Sequence, residues 1–201
     1  MEKGDRTMQI LQERIRKDGQ VLPGEIVKVD GFLNHRMDVG LIDMIGEEFH
    51  RVFADVKPTV IVTIEASGIA MAYATAQKFG IPVIFAKKGK AKNIGNDIFS
   101  ADVFSYTRGT TYGVHISKKF LSSEDRVLII DDILANAQAA LGLISICHQA
   151  QAKVVGIGIV IEKKWQRGSE LLRSKGLPLH SLAVITRLEN GKIFFEDDES
   201  V

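Results

Sequence analysis

Val60-Ile61-Val62-Thr63-Ile64 constrains the fold of this chain more than any other stretch. The five residues favour extended backbone, and a run without polar alternation has to be covered on both faces. Pro58 precedes it, and Glu65-Ala66-Ser67-Gly68 follows. A helix is predicted over residues 69–78, closed by Gly80, and a short strand over 82–86. Strand, helix and strand in succession predict a right-handed parallel crossover. The rhythm recurs later, with a strand over 127–130, a helix over 137–150 and a strand over 153–161. The fold class is therefore α/β, with a mostly parallel central sheet flanked by helices.

The remaining segments attach to that sheet. Residues 8–17 place Ile10, Leu11 and Ile15 near one face of a short helix, which Gly19 ends. Residues 21–29 mix Pro23 and Gly24 with apolar side chains and read as irregular or weakly extended. Leu41, Ile42, Ile45, Phe49 and Phe53 recur at helical spacing over 38–53. Residues 87–108 read as a polar loop, with Lys87, Lys88, Lys90 and Lys92 crowded together and Gly89 and Gly95 between them. A strand over 114–117 follows, and Asn190-Gly191 marks a hairpin within 179–196. One domain over 1–201 is expected, with residues 1–37 and about 162–201 forming a small hood over one end of the sheet.

Composition narrows the function classes. With 26 Lys+Arg against 25 Asp+Glu, the near-zero net charge gives no support to a polyanion-coating protein, so no nucleic-acid partner is expected. No stretch reaches the roughly 18 uninterrupted apolar residues of a membrane span, and residues 1–19 lack the apolar core of a signal peptide. The lone Cys147 can form no internal disulfide and sits in an apolar run, so a buried structural thiol in a reducing cytoplasm is expected. Met8 is an alternative start to Met1.

The chemistry concentrates where the strand at 127–130 ends. Asp131 and Asp132 follow it directly, and the small residues Ala135-Asn136-Ala137-Gln138-Ala139 then open a helix. Ligands of parallel α/β sheets bind at strand carboxyl ends, where a helix N-terminus offers free N–H groups and a positive dipole end. Small side chains let a phosphate reach that backbone. Two carboxylates upstream accept hydrogen bonds from sugar hydroxyls, or hold a divalent metal through water. Together these describe a phosphorylated-sugar site; the plainer alternative is a strand end that merely caps a helix.

This run resembles the phosphoribosyl pyrophosphate motif of type I phosphoribosyltransferases. The likeness extends to Lys28-Val29-Asp30, Phe32-Leu33-Asn34-His35, Ser67-Gly68-Ile69-Ala70, Pro82-Val83-Ile84-Phe85-Ala86 and Gly156-Ile157-Gly158-Ile159-Val160-Ile161-Glu162-Lys163. Within the family it is nearest to the bacterial members that act on xanthine. The resemblance implies transfer of a phosphoribosyl group to xanthine, with Mg²⁺ accompanying phosphoribosyl pyrophosphate, and a homodimer. It implies that Ala135, Asn136, Ala137, Gln138 and Ala139 hold the 5′-phosphate and that Asp131 and Asp132 face the ribose. Ser67 and Gly68 would bind pyrophosphate, and Lys87 and Lys88 would belong to a lid over it. Lys163 would meet an exocyclic oxygen of the base, with Val27 and Asn34 completing the pocket and Phe32 and Trp165 as candidates to stack on it.

Two departures matter. Relatives commonly carry Gly where this chain has Ala137, which is tolerable only if φ stays negative there. Hypoxanthine-guanine relatives carry an acid where this chain has Ala135, so the loop supplies no carboxylate base. The alternatives are an adenine or other purine transferase and a non-catalytic phosphoribosyl-pyrophosphate sensor. Adenine would present its own amine to the ammonium of Lys163. A nucleic-acid-binding sensor would need a basic reading module that this composition does not offer.

Overall fold

In the computed structural model, which describes residues 3–89, 97–106 and 109–199, the predicted strands join one eight-stranded sheet. β3 (Val60–Ile64) lies between β4 (Val83–Lys88) and β7 (Arg126–Leu134), parallel to both. β8 (Lys153–Lys163) and β9 (Leu179–Glu189) continue the parallel series beyond β7. The edges are antiparallel. β10 (Lys192–Phe195) pairs with β9, while β6 (Thr110–Ser117) pairs with β4 and carries β5 (Ile98–Ser105) outside it.

Period-two alternation sorts the side chains of the central strands into two cores. Val60, Val62, Val127 and Ile129 pack with Leu143, Ile146 and Cys147 of α4 (Gln138–Gln149). Ile61, Leu128 and Ile130 pack with Ile45, Phe49 and Phe53 of α2 (Val39–Phe53) and Met71 of α3 (Ile69–Phe79). Each such fully buried side chain contributes roughly 1.5–3 kcal/mol, so both faces anchor the sheet strongly. Asp38 caps α2 by accepting from Leu41 N–H at 3.2 Å, and Gly80 ends α3 at φ 69°. Cys147 is wholly buried, and burial pushes its thiol up to about 12, as suits a packing residue.

Three expectations are sharpened or corrected. The segment 21–29, read as irregular or weakly extended, is the latter and is paired: β1 (Gln20–Leu22) and β2 (Ile26–Lys28) run antiparallel as a ribbon apart from the main sheet. Gly24 at φ 79° and Glu25 at φ 59° turn its corner. The segment 87–108 is not a loop throughout, because β4 runs through Lys88 and β5 begins at Ile98. Polar residues at exposed positions, such as Ser100 and Asp102, disguise that strand. Lys90, Lys92, Gly95 and Arg108 lie outside the described residues. Finally, β9 and β10 extend the sheet instead of standing above it as hood. α1 (Lys3–Asp18) packs on them through Leu11 and Ile15 beside Phe195, and Arg16 pairs with Asp198 at 2.6 Å.

Candidate active site

The carboxyl ends of β8, β7, β3 and β4 are consecutive along one edge of the sheet. A cleft of about 450 Å³ opens there, lined by Asp131, by residues 135–139 and by Lys163. β7 runs on through Leu134, so the acid pair sits inside the strand and its members face opposite sides. Asp131 shares the side of Ile129 and lines the cleft. Asp132 turns away to accept from Asn34 Nδ2 at 3.1 Å. Both carboxylates are 9% exposed. Burial raises the Asp131 carboxyl well above the usual range and the neighbouring Asp132 adds to the rise; the Asp132 N–H, which it accepts at 3.0 Å, and Lys88 oppose it. Burial thus disfavours the charged form of Asp131, and a partner with donors or positive charge would favour the carboxylate.

The loop from β7 into α4 overturns one expectation outright. Ala137 stands at φ 60°, ψ 10°, in the left-handed region where an Ala costs about 1–2 kcal/mol. The surroundings hold it there. Its methyl is buried in the α4-side core, and Gly168 N–H, at the start of α5 (Gly168–Ser174), donates to Ala135 O at 3.0 Å. No side chain caps α4, so its first-turn N–H groups remain available to a ligand.

The turn between β3 and α3 contains a cis peptide at Glu65–Ala66. Gly68 is the helix N-cap and no side chain caps α3, so Ser67 does not serve as a cap. Gly68 lies tight against the acid pair: a Cβ there would collide with the Thr63 hydroxyl and stand 3.2 Å from Asp131 Oδ1. Glu65 accepts from Lys88 N–H at 2.7 Å, which joins this turn to the end of β4. Lys87 and Lys88 occupy strand positions and therefore opposite faces. Lys88 is the one on the cleft side, its Nζ 5.3 Å from the centroid of Tyr112, a cleft residue.

Lys163 is the last residue of β8 and half-buried, and burial pulls its ammonium below the usual lysine range while nearby Glu25 opposes this. Its Nζ donates to Glu25 O at 2.8 Å. Val27 is 4% exposed and its side chain belongs to the core, while Gly24 and Ile26 of the same ribbon line the cleft, so Val27 stands directly beside the cleft wall. Phe32 is wholly buried, and Trp165 packs against the core with its indole N–H on Glu25 Oε2 at 2.6 Å; neither lines the cleft. Residues missed by sequence reading complete the walls: Phe104 and Tyr106, edge to face at 4.9 Å, with Tyr112 and Gln166. The alternation of Phe104 and Tyr106 about Ser105 was the available signal.

Among the described residues no three His, Cys, Asp or Glu side chains gather as a metal site. Two carboxylates suit Mg²⁺ nevertheless, because that ion keeps several waters and takes one or two carboxylates alongside substrate phosphates.

The cleft brings together, at the carboxyl edge of a parallel sheet, a helix N-terminus without a side-chain cap, a buried carboxylate and a lysine, the set that suits an enzyme of phosphorylated sugars. Residues 34–175 match the phosphoribosyl transferase domain family, and the chain belongs to that family of pentosyl-transferring enzymes. It is 52% identical over 190 residues to the xanthine phosphoribosyltransferase of Ruminiclostridium cellulolyticum, covering 94% of this chain and 100% of that one. Identity to the Listeria monocytogenes protein of the same name is 48% over 192 residues, 96% and 100% of the two chains. Among solved structures, the adenine phosphoribosyltransferase of Saccharomyces cerevisiae, complexed with adenine and an imino-altritol bisphosphate, superposes with a TM-score of 0.72. It is 23% identical and covers 89% of this chain and 99% of its own, a likeness of fold alone.

Proposed function

We propose that this chain transfers the 5-phosphoribosyl group of phosphoribosyl pyrophosphate to xanthine, giving xanthosine 5′-monophosphate and pyrophosphate in purine salvage. The observation that carries this is Lys163, which lines the same cleft as the phosphate loop in a chain about half identical to xanthine phosphoribosyltransferases.

In this reading the α4 N-terminus binds the 5′-phosphate through the amides of Ala135, Asn136, Ala137, Gln138 and Ala139. Asp131 accepts from a ribose hydroxyl, and Asp132, braced by Asn34, backs it. Ser67, Gly68 and Lys88 receive the pyrophosphate, and preplaced positive charge there favours its departure. A ring nitrogen of xanthine forms the bond to C1′ as the bond from C1′ to pyrophosphate breaks. Lys163 donates to an exocyclic oxygen and favours the xanthine anion, which lessens the need for a general base and fits the absence of an acid at Ala135. Mg²⁺ accompanying phosphoribosyl pyrophosphate, held by substrate oxygens with Asp131 on the cleft side, would neutralise charge on the leaving group. The purine amine of adenine is itself a donor and meets a Lys ammonium poorly.

Homodimer formation is part of the proposal, supported by exposed Tyr73 and Phe85 beside Ile69, Ile81 and Val83 on the α3 face. A reducing cytoplasm is proposed from the lone buried thiol. No helix of the described residues is long and apolar enough to cross a membrane.

The test is pyrophosphate release with each purine base, Mg²⁺ and phosphoribosyl pyrophosphate. Xanthine is expected to give the highest kcat/KM, and Lys163→Gln to raise KM for xanthine about 10- to 100-fold, the loss of a charged hydrogen bond of about 1.5–3 kcal/mol, with little change for the sugar donor. Equal effects on both substrates would remove Lys163 from base recognition. No release with any of the bases would point to the sensor.

A further inference from the structure

The β1–β2 ribbon is the least supported element near the cleft. It has only two strands, pairs with no strand of the main sheet, and turns at Pro23-Gly24-Glu25. An isolated two-stranded ribbon is marginal in water, so something has to fix it. Val27 and Val29 anchor its far end in the core. Its tip is fixed by one residue. Glu25 O accepts from Lys163 Nζ at 2.8 Å, and Glu25 Oε2 accepts from Trp165 Nε1 at 2.6 Å. Both donors come from the far side of the sequence, at the end of β8 and just after it.

Glu25 itself stands at φ 59°, a conformation that costs a non-glycine residue about 1–2 kcal/mol. A glycine at 25 would remove that cost, yet it would also remove the carboxylate that Trp165 meets. Glu25 is exposed to solvent and outside the cleft wall, whereas Gly24 and Ile26 on either side of it line the cleft.

We propose that Glu25 is a positioning residue for the acceptor: it latches the ribbon to Trp165, sets Gly24 and Ile26 against the base, and aims the Lys163 ammonium through its own carbonyl. The proposal rests on the xanthine reading for its kinetic consequence, but the latch itself does not. Lys163 carries three N–H donors, and the Glu25 carbonyl takes one, which fixes the directions of the two left for a purine oxygen. Without the carboxylate–indole bond the ribbon tip is held by that single contact, and Lys163 regains rotamer freedom. The charge of Glu25 also opposes the lowering that burial imposes on the half-buried ammonium. The loss therefore falls on the acceptor, because no phosphate-loop residue touches Glu25 in the hydrogen bonds of the described residues.

Three variants separate the parts. Glu25→Gly deletes the carboxylate while allowing the same backbone turn; Glu25→Ala deletes it and keeps the strained φ; Trp165→Phe deletes the indole donor and keeps a ring. Trp165 is the only tryptophan in the chain, so its emission reports the latch directly and without substrate. Glu25→Gly and Glu25→Ala are both expected to red-shift that emission and increase its quenching by acrylamide at unchanged far-ultraviolet dichroism. Both, and Trp165→Phe, should raise KM for xanthine about tenfold, with KM for phosphoribosyl pyrophosphate within about twofold. The Glu25→Gly/Trp165→Phe double variant should be no worse than either single one, as for two halves of one contact. Glu25→Gln, which still offers an acceptor to the indole, should recover the emission.

Unchanged emission in Glu25→Gly would overturn the latch whatever the enzyme does. A shifted emission with an unchanged KM for xanthine would overturn the positioning role. Equal rises in both KM values would show general collapse of the site instead. If the wild type uses no xanthine, the emission series still decides the latch, and only the reading of the acceptor fails.

Discussion

A methyl group placed at position 168 tests whether the β7–α4 loop is held for phosphate by the chain behind it. Gly168 N–H donates to Ala135 O at 3.0 Å, and a Cβ on Gly168 would stand 2.9 Å from Ala137 N and 3.0 Å from Ala135 C, nearer still to the Ala135 carbonyl oxygen. All three atoms are backbone, so no side chain can swing aside. Comfortable contact needs about 3.5 Å, so the loop or α5 has to give by about 0.5–1.3 Å. Overpacking of this kind costs about 1–3 kcal/mol. At about 2–4 °C per kcal/mol for a chain of this size, Gly168→Ala should lower Tm by roughly 2–12 °C. The kinetic effect is expected to be larger in proportion, since a misplacement of about 1 Å in a positioning element can cost about 100-fold. We expect KM for phosphoribosyl pyrophosphate to rise about 10- to 100-fold, read by pyrophosphate release at saturating xanthine. A clear fall in Tm with KM for the donor unchanged would refute the reasoning, because the loop would then have moved without the phosphate noticing.

Two further substitutions probe the same edge of the sheet. Asp131→Asn should raise Tm at pH 7 while lowering kcat/KM about 10- to 100-fold, the loss of charged hydrogen bonds of about 1.5–3 kcal/mol. The sign follows from linkage: burial and Asp132 raise the native carboxyl's pKa, so the folded chain binds the proton more tightly and stability falls as pH climbs from the unfolded value toward the folded one. The Tm advantage of Asp131→Asn, measured in metal-free buffer, should therefore shrink toward pH 4; an advantage independent of pH would contradict it. For Ala137→Gly, relief of about 1–2 kcal/mol at φ 60° is offset by about 0.8 kcal/mol for a lost buried methyl and about 0.4–1 kcal/mol of unfolded-state entropy. Tm should stay within a few degrees and KM for the donor should not rise; a tenfold rise would mean the methyl itself helps shape the cradle.

What the sequence made legible tracks how local the determining physics is. Val60–Ile64 is a strand with the bounds that its composition predicts, because a run covered on both faces has one way to sit. The phosphate loop was legible for the same reason, since strand, small residues and helix are contiguous in the chain. The ribbon at β1 and β2 was not, because two three-residue strands carry too little pattern to exceed the turn signals of Pro23 and Gly24. β5 escaped because its faces are only half-buried and its polar members read as loop. The side chain of Val27 turns to the core while that of Ile26 lines the cleft, because a one-residue step along a strand reverses the face, and a three-residue strand is too short to show in sequence which face is which. Glu25 and Gly168 could not have been found at all from local pattern. Their roles arise from contacts across 138 and 33 positions of chain, and only the folded molecule brings those together.

Those two residues also meet one short connection that runs between the proposed donor and acceptor sites. The short connection from Lys163 to Gly168 touches both: Lys163 and Trp165 hold Glu25, Gln166 lines the cleft, and Gly168 supports Ala135. Its first half is the stiffer. Lys164 N–H donates to Ile185 O at 2.9 Å, fastening it to β9, and Gln166 N–H closes a turn on Lys163 O at 3.0 Å. Its second half enters a seven-residue helix with no side-chain cap. Strain introduced at Gly168 therefore has a rigid neighbour on the Lys163 side and a loop held in a costly conformation at Ala137 on the other. The loop should yield first. That asymmetry is why Gly168→Ala is expected to spare KM for xanthine while raising KM for the donor. A rise in both would show that the connection moves as one body, carrying Lys163 with it.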